Sequence, residues 1–275
     1  MIYLLSDEGR RALRALVGKP ILYGFDFDGT LAPLSSNRKA VKIPRSTYEW
    51  LKELAKRAPC AIVSGRGLAD LESRAKGIVP HLIGNHGIES RLTTAESLAS
   101  AIDVCQGWAR DWAASRTQVL KDLEVELEDK RYSLTLHYRG VAEPARVRMA
   151  LLLLLQDLSP APRLILGKSS INLLPPGLGG KGVAAQALMV YLRQTGLFFI
   201  GDDETDEDVF RLTEGLAMGV RVGQHQDSRA PYYVKHQGEL EDVIRFLVHR
   251  IDRTPESIDR DGRTATDRRD VANDL

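Results

Sequence analysis

The sequence predicts an α/β protein in which a doubly wound parallel sheet is interrupted by a smaller, inserted α+β domain. Short apolar runs alternate with stretches of helical spacing at both ends of the chain, which favours a parallel sheet covered by helices. The middle of the chain instead shows period-two alternation, which is typical of antiparallel strands. A chain of 275 residues is long enough for one large core with such an insertion.

The first part of the core is predicted to span residues 1–88 and to supply three strands. A helix over 7–17 precedes the apolar run PILYGFD, and a helix over 44–57, with Pro44 near its start, precedes the run PCAIVSGR. A helix over 67–75 leads to the third strand, HLIGNHG. Because a helix separates each strand from the next, we expect the strands to be parallel.

The inserted domain is predicted to span residues 89–177. A long helix over 95–119 precedes the alternating runs LEVELED and YSLTLHYR. A helix over 144–158 then precedes the strands RLIL and SSINLL, which a Gly-Lys turn joins. The alternation predicts half-buried antiparallel strands with one packed face and one exposed face.

The second part of the core is predicted to span residues 178–250, and a charged tail follows over 251–275. A helix to about Arg193, the strand LFFIGDD, a helix from Glu204, the strand AMGVRV and a last helix restore the α/β pattern. Twelve of the 25 tail residues are charged and few are apolar, so we expect the tail to be mobile.

The composition favours a cytoplasmic protein with neither a nucleic acid nor a membrane as partner. The net charge is +1 and no long basic run is present. The N-terminal segment lacks the order of basic, apolar and small residues that marks a secretory signal. The longest apolar run covers residues 150–155, whereas a membrane-spanning helix needs about 20 apolar residues. The sequence makes no prediction of oligomeric state.

Four groups of polar residues lie where buried strands end or helices begin. They are Asp26-Phe27-Asp28-Gly29-Thr30, Ser64-Gly65-Arg66, Lys181 and the acidic run over 201–207. The carboxyl ends of the strands in a doubly wound sheet meet in one crevice, so carboxylates from two segments can share a hard cation. Three carboxylates with water suit Mg²⁺, and the sequence therefore predicts a magnesium site in this crevice.

Each group taken alone has an ordinary structural explanation, such as a helix cap, a turn, a solvated lysine or acids at a helix start. Their joint occurrence favours an active site. A dinucleotide site is an alternative, since residues 177–182 fit G-x-G-x-x-G and Asp202 follows at the usual spacing. Pro175 and Pro176 argue against it, because they interrupt the strand that should lead into the glycines.

In this order the four groups resemble the motifs of the haloacid dehalogenase-like phosphatases. The insertion then corresponds to the C2-type cap of that superfamily, placed on a Rossmannoid core. Three further segments resemble trehalose-6-phosphate phosphatases, namely LEDKRYSLTLHYR over 127–139, GNHGIE over 84–89 and GDDETDEDVF over 201–210. The resemblance covers nearly all of residues 20–250.

The resemblance implies an Mg²⁺-dependent hydrolysis of trehalose 6-phosphate through an aspartyl-phosphate. It makes Asp26 the nucleophile and Asp28 the general acid and then the general base. Ser64 would hydrogen-bond the phosphate, and Lys181 would neutralise charge on it and on Asp26.

The same resemblance implies a ligand set for the metal and a set of substrate contacts. Mg²⁺ would be held by Asp26, Asp202 and the backbone carbonyl of Asp28. Asp203 and Asp206 would support these ligands or bind the metal through water. The residues expected to surround the substrate are Thr30, Gly65, Arg66, His86, Glu128, Lys130, His137, Arg139, Lys168 and Asn172. The family usually has Glu-x-Arg-Pro where this chain has Asn172-Leu173-Leu174-Pro175, so we expect Asn172 to face the disaccharide with altered selectivity.

Three other functions stay open. One is the hydrolysis of a different sugar phosphate, of the sucrose or glucosylglycerol phosphate type, by the same core. Another is a phospho-aspartate signalling module, although such a module is about half this length and has no need of Asp28. A binding protein with an inactive site is disfavoured because every catalytic position is filled.

Overall fold

The computed structural model describes residues 1–35, 40–167, 169–213 and 218–253. The strands, numbered in chain order, are β1 Ile2–Tyr3, β2 Ile21–Phe25, β3 Cys60–Val63, β4 His81–Ile83, β5 Glu126–Asp129, β6 Leu134–His137, β7 Arg163–Gly167, β8 Ser170–Leu174, β9 Gly196–Gly201, β10 Met218–Val222 and β11 Tyr232–Val234. The helices are α1 Asp7–Arg14, α2 Arg45–Ala55, α3 Leu68–Ala75, α4 Ala95–Ser115, α5 Thr117–Asp122, α6 Pro144–Leu154, α7 Lys181–Tyr191, α8 Glu207–Thr213 and α9 Leu240–Ile251.

The core is a seven-stranded parallel sheet in the order β1-β11-β10-β9-β2-β3-β4. The predicted α/β class with a parallel sheet is confirmed. Sequence analysis missed β1 and β11, because strands of two and three residues are too short to show any periodicity. Strand β2 lies inside the sheet, between β9 and β3.

Helices cover both faces of this sheet, as the term doubly wound implies. Ile21, Tyr23 and Phe25 of β2 pack on one face with the apolar sides of α1, α2, α3 and α9. Leu22 points to the opposite face and packs with residues of α7 and α8. A strand buried on both faces reads as a continuous apolar run, which is why β2 could be predicted.

The insertion forms a separate four-stranded antiparallel sheet in the order β5-β6-β8-β7. Its packed face has its own apolar core, in which Trp108 and Trp112 of α4 meet β6, β8 and α6. We call residues 89–177, which contain this sheet, the cap; its predicted boundaries stay predictions.

Two expectations for the cap are wrong. The helix predicted over 95–119 is two helices, α4 and α5, which are separated at Arg116. The polar face that begins at Ser133 is exposed only in part, because Ser133 and Thr135 are buried while Arg139 is exposed. This face is turned toward the core, and core and cap together exclude water from its buried part.

Residues 254–275 and Lys168 lie outside the described residues, so the predicted tail mobility and the predicted role of Lys168 stay predictions. Among the residues that the structure describes, no helix is long and apolar enough to cross a membrane. The cytoplasmic location also stays a prediction.

Candidate active site

The predicted acidic site forms where β2 and β9 end side by side. Asp26 follows β2 directly and Asp202 follows β9, and the two strands are hydrogen-bonded neighbours. Asp206 comes from the 3-10 turn Glu204–Asp206 that continues from β9. Carboxylate oxygens of Asp26, Asp202 and Asp206 lie within 4.8 Å of one another, and all three residues are buried.

Lys181 connects two of these carboxylates. Its Nζ donates to Asp26 Oδ1 at 2.6 Å and to Asp206 Oδ1 at 2.7 Å. Burial lowers the pKa of the Lys181 ammonium, but the carboxylates of Asp206 and Asp26 outweigh burial and raise it well above its usual range. Lys181 therefore stays charged although only 3% of the residue is exposed.

The donor set fits a divalent cation. Burial raises the pKa of Asp26 well above its usual range, Lys181 opposes this, and the Asp206 and Asp202 carboxylates raise that pKa further. If all three carboxylates were ionised, the one ammonium would leave an excess of two negative charges in a buried place, which a divalent cation would balance. Hard carboxylate oxygens are the ligands that Mg²⁺ prefers, so Asp26, Asp202 and Asp206 can hold it directly or through water.

Two glycines let the carboxylates pack against the main chain. A Cβ on Gly29, whose φ is +83°, would lie 2.3 Å from Asp202 Oδ2. A Cβ on Gly201 would lie 2.3 Å from Asp206 Cγ. Any side chain at either position would displace a carboxylate of the site. This explains why a glycine follows Asp28 and why a glycine ends β9.

Asp28 does not join this cluster with its side chain. Its two carboxylate oxygens accept from Nε and Nη2 of Arg66, each at 2.6 Å. Arg66 also donates to Asp70 at 2.7 Å, and its guanidinium lies over the ring of Phe27 at 5.3 Å. Arg66, which was predicted to contact substrate, is thus the partner of the predicted acid.

The remaining predicted phosphate contacts lie close to this pair. Ser64 is buried at the end of β3, and its Oγ accepts from the backbone N–H of Arg66 at 3.2 Å. Thr30 is fully buried, and its hydroxyl has no hydrogen-bond partner within the described ranges. A buried hydroxyl in this position is able to bind an oxyanion. The role of either hydroxyl in phosphate binding stays a prediction.

Sequence analysis missed a residue that holds the acidic loop in place. Arg221, at the end of β10, is buried, and its Nη1 donates to Glu207 Oε1 at 2.9 Å and to the Asp203 carbonyl at 3.2 Å. Asp203 itself caps the turn, with Oδ1 accepting from Glu204 N at 2.9 Å. The available signal was a charged residue inside the apolar run AMGVRV, since a buried cation requires a partner.

The cap contributes a second polar cluster above the crevice. Glu128 Oε2 lies 2.7 Å from His137 Nε2 and 3.9 Å from Lys130 Nζ. Lys130 Nζ also donates to the carbonyl of Gly65 in the core, at 3.1 Å. Glu128, Lys130 and His137, which were predicted from the resemblance, therefore lie together, and Lys130 contacts the segment Ser64-Gly65-Arg66.

Two other predicted cap residues have different surroundings. Arg139 is exposed and donates to the carbonyl of Ser35 at 3.2 Å. The Asn172 side chain accepts from Thr135 Oγ1 at 2.9 Å and donates to the Ile165 carbonyl at 3.2 Å, so both ends of its amide bind within the cap sheet.

His86 lies buried between core and cap. A Cβ on Gly65 would lie 2.5 Å from His86 Cε1, so the imidazole packs against the main chain of Gly65. Burial lowers the pKa of His86 well below its usual value, and the cations Lys130 and Lys181 lower it further. His86 is therefore neutral at pH 7.

This neutral histidine predicts a loss of stability in weak acid. Below the unfolded-state pKa of about 6.5, the imidazole of His86 binds a proton in the unfolded chain but not in the folded chain. The free energy of unfolding of wild type should thus fall, relative to His86→Asn, by about 1 kcal/mol between pH 6.5 and pH 5.5. Urea unfolding at both pH values measures this difference, and the exposed His225→Asn is the control. If the free energies of unfolding of wild type and His86→Asn changed equally between the two pH values, the prediction would be wrong.

The buried Arg221 pair predicts a large and specific effect on stability. Arg221→Met should lower the free energy of unfolding by about 3 kcal/mol, because Glu207 would be left without its charged partner. The double variant Arg221→Met/Glu207→Leu should regain most of that loss in urea unfolding. Arg211→Met, which removes an exposed pair with Asp208, should cost at most about 0.5 kcal/mol. Additive losses in the double variant would refute a charge-pairing role.

Comparison with solved structures shows the fold. The C-terminal domain of trehalose-6-phosphate phosphatase from C. albicans has a TM-score of 0.68 at 18% identity, and the alignment covers 90% of this chain and 98% of that one. At this identity the likeness concerns the fold alone, and it confirms the predicted α/β fold with a parallel sheet and a separate antiparallel sheet.

Comparison with curated proteins finds longer relatives. A Mycobacterium tuberculosis protein described as an uncharacterized glycosyl hydrolase is 30% identical over 230 residues, covering 79% of this chain and 17% of that protein. A trehalose-phosphate phosphatase of the same organism is 29% identical over 257 residues, covering 89% of this chain and 62% of that protein. This chain therefore spans only part of the length of either relative.

The family comparison agrees with the geometry of the site. The model described as trehalose-phosphatase matches residues 24–237, which extends from the end of β2 to the turn before α9 and includes every described residue of the acidic cluster. Since this match covers well over half of the chain, the protein belongs to the trehalose-phosphatase family.

Proposed function

We propose that this protein is an Mg²⁺-dependent phosphatase that hydrolyses trehalose 6-phosphate to trehalose and phosphate, a reaction of trehalose biosynthesis. The observation that carries the proposal is the buried Asp26 carboxylate, held by Lys181 beside two further carboxylates at the ends of β2 and β9. When bound by Asp26, Asp202 and the Asp28 carbonyl, Mg²⁺ supplies positive charge that offsets the repulsion between phosphate and carboxylate.

In the first step, Asp26 attacks the phosphorus and the bond from phosphorus to the sugar oxygen breaks. Lys181 binds Oδ1 of Asp26, so Oδ2 is the attacking atom. Asp28 gives a proton to the departing oxygen, which leaves as the sugar hydroxyl. Ser64 and Thr30 donate hydrogen bonds to the phosphate oxygens.

In the second step, water attacks the phosphorus of the aspartyl-phosphate. Asp28, now a carboxylate, takes the proton of this water, and the bond between phosphorus and Asp26 breaks to release inorganic phosphate. The bidentate pair with Arg66 orients the Asp28 carboxyl group beside the crevice. An incoming phosphate group competes for Arg66, and Asp28 takes up from solvent the proton that it gives to the departing oxygen in the first step; the second step returns a proton to Asp28 for the next turnover.

The cap supplies the sugar contacts in this proposal. Glu128, Lys130 and His137 form a cluster of donors and acceptors that suits the hydroxyl groups of a disaccharide. Closure of the cap over the phosphate excludes water other than the attacking molecule.

A second candidate function is the hydrolysis of another sugar phosphate by the same core. Two positions favour it: Leu174 is fully buried in an apolar cluster with Ile88 and Ala101, and both ends of the Asn172 amide bind inside the cap. Neither side chain supplies the charge that the Glu and Arg of the family pattern carry, so a different sugar preference is expected.

Phosphate release from a panel of sugar phosphates tests the proposal. We expect Mg²⁺-dependent turnover of trehalose 6-phosphate that EDTA abolishes and that Asp26→Asn lowers at least about 10³-fold. Asp157→Asn, an exposed carboxylate of the cap, is the matched control. Preference for another sugar phosphate would establish the second candidate. Transfer of one phosphoryl group to each protein molecule, without turnover, would instead indicate a signalling module.

The pairing of Arg66 with Asp28 predicts a further loss of activity. Arg66→Met should lower kcat/KM about 100-fold, because both the phosphate and Asp28 lose their charged partner. Arg74→Met is the control, since Arg74 shares the Asp70 partner of Arg66 but makes no contact with Asp28 among the described hydrogen bonds. Equal losses in the two variants would show that Arg66 acts through Asp70 only.

A further inference from the structure

The loop from Gly84 to Gly87, which we call the GNHG loop, has an unusual backbone. Three consecutive residues lie in the left-handed region, with φ of 52° at Asn85, 55° at His86 and 99° at Gly87. Asn and His adopt this conformation more readily than most other residues, but usually singly, so two in succession are uncommon. The contacts of the loop therefore show what it is built to hold.

On the core side, the backbone of the loop joins the two elements that carry Ser64 and Lys181. Asn85 N donates to the Arg66 carbonyl at 2.6 Å, and His86 N donates to the Ser64 carbonyl at 3.0 Å. Gly180 N, directly before Lys181, donates to the His86 carbonyl at 2.6 Å. The loop is thus hydrogen-bonded to both elements that position the phosphate-binding side chains.

On the cap side, the side chain of Asn85 makes the connection. Asn85 is fully buried, its Nδ2 donates to the Lys130 carbonyl at 3.1 Å, and its Oδ1 accepts from Ser133 Oγ. Both ends of the amide therefore bind the turn between β5 and β6. The same turn carries Lys130, whose Nζ reaches the Gly65 carbonyl.

We propose that Asn85 is a positioning residue that couples docking of the cap to alignment of Ser64 and Lys181 in the core. The amide binds the docked cap turn, and the Asn85 N–H binds the Arg66 carbonyl. The next residue of the loop, His86, binds the Ser64 carbonyl and the N–H of Gly180 through its backbone. A sugar bound by the cap then improves the chemical step although Asn85 touches neither sugar nor phosphate. This inference rests on the proposed function, because it assumes a substrate that spans cap and core.

The test uses Asn85→Gly, which removes the amide but keeps a residue that adopts positive φ without strain. We expect kcat for trehalose 6-phosphate, or for the best sugar phosphate of the panel, to fall about 10-fold or more with little change in KM. With p-nitrophenyl phosphate, which is too small to engage the cap, kcat should fall less than about threefold. Arg193→Gly, at an exposed residue with φ of 55°, is the matched control for the backbone change.

Two outcomes would overturn the coupling. Equal losses on both substrates would assign Asn85 to the general stability of the site, and a rise in KM at constant kcat would make it a simple binding residue. Ser133→Ala removes one partner of the amide, and the double variant with Asn85→Gly should be no worse than Asn85→Gly alone. Additive losses would equally contradict the proposal.

Hydrogen exchange separates a failure of this inference from a failure of the proposed function. Ser133→Ala should speed exchange of the His86 and Gly180 amides, which lie on the core side of the loop, whatever the substrate is. Unchanged exchange at both amides would overturn the coupling even in an active sugar phosphatase. Faster exchange in a protein that hydrolyses no sugar phosphate would keep the coupling and reject the substrate.

Discussion

The ammonium of Lys181, shared between the carboxylates of Asp26 and Asp206, is the interaction on which the site depends. Three carboxylates this close together in a buried place repel one another strongly, and Lys181 balances one of the three charges. A divalent cation can balance the remaining charge, so the same arrangement that binds Lys181 also provides carboxylates that can hold such a cation. Because Nζ is itself buried, the first turn of α7 has to be placed accurately, and the bond from Gly180 N to the His86 carbonyl does this.

Core and cap meet through polar contacts and one small apolar cluster that contains Ile88, Ala101 and Leu174, whereas each has a larger apolar cluster of its own. Arg163 of β7 illustrates this, since it donates to Asp208 at 2.6 Å and to the Gly179 carbonyl at 2.9 Å. Water replaces polar contacts of this kind at little cost, while an apolar interface would resist separation. An interface with such polar contacts suits the cap motion that the proposed reaction requires.

The parts of the fold that were predicted correctly are those with strong local patterns. Strands β2 and β9 are continuous apolar runs followed by carboxylates, and both patterns can be recognised in the sequence alone. The burial of Ser133 and Thr135 could not be predicted, because alternation shows which face is apolar but not what covers the polar face. The Asp28–Arg66 pair was missed for a similar reason, since the partners are separated by 38 residues.

The sequence by itself determined the order of the motifs, the parallel core with its insertion, and the kind of chemistry that strand-end carboxylates with a lysine support. Local spacing is sufficient for this, because strand ends of a parallel sheet meet at one edge. Only the tertiary structure decided which polar groups are already bound to each other: Asp206 to Lys181, Asp28 to Arg66, and Asn85 to the cap turn. Hydrogen bonds and ion pairs act over about 3 Å, so partners far apart in the chain are chosen by packing and leave no periodic trace in the sequence.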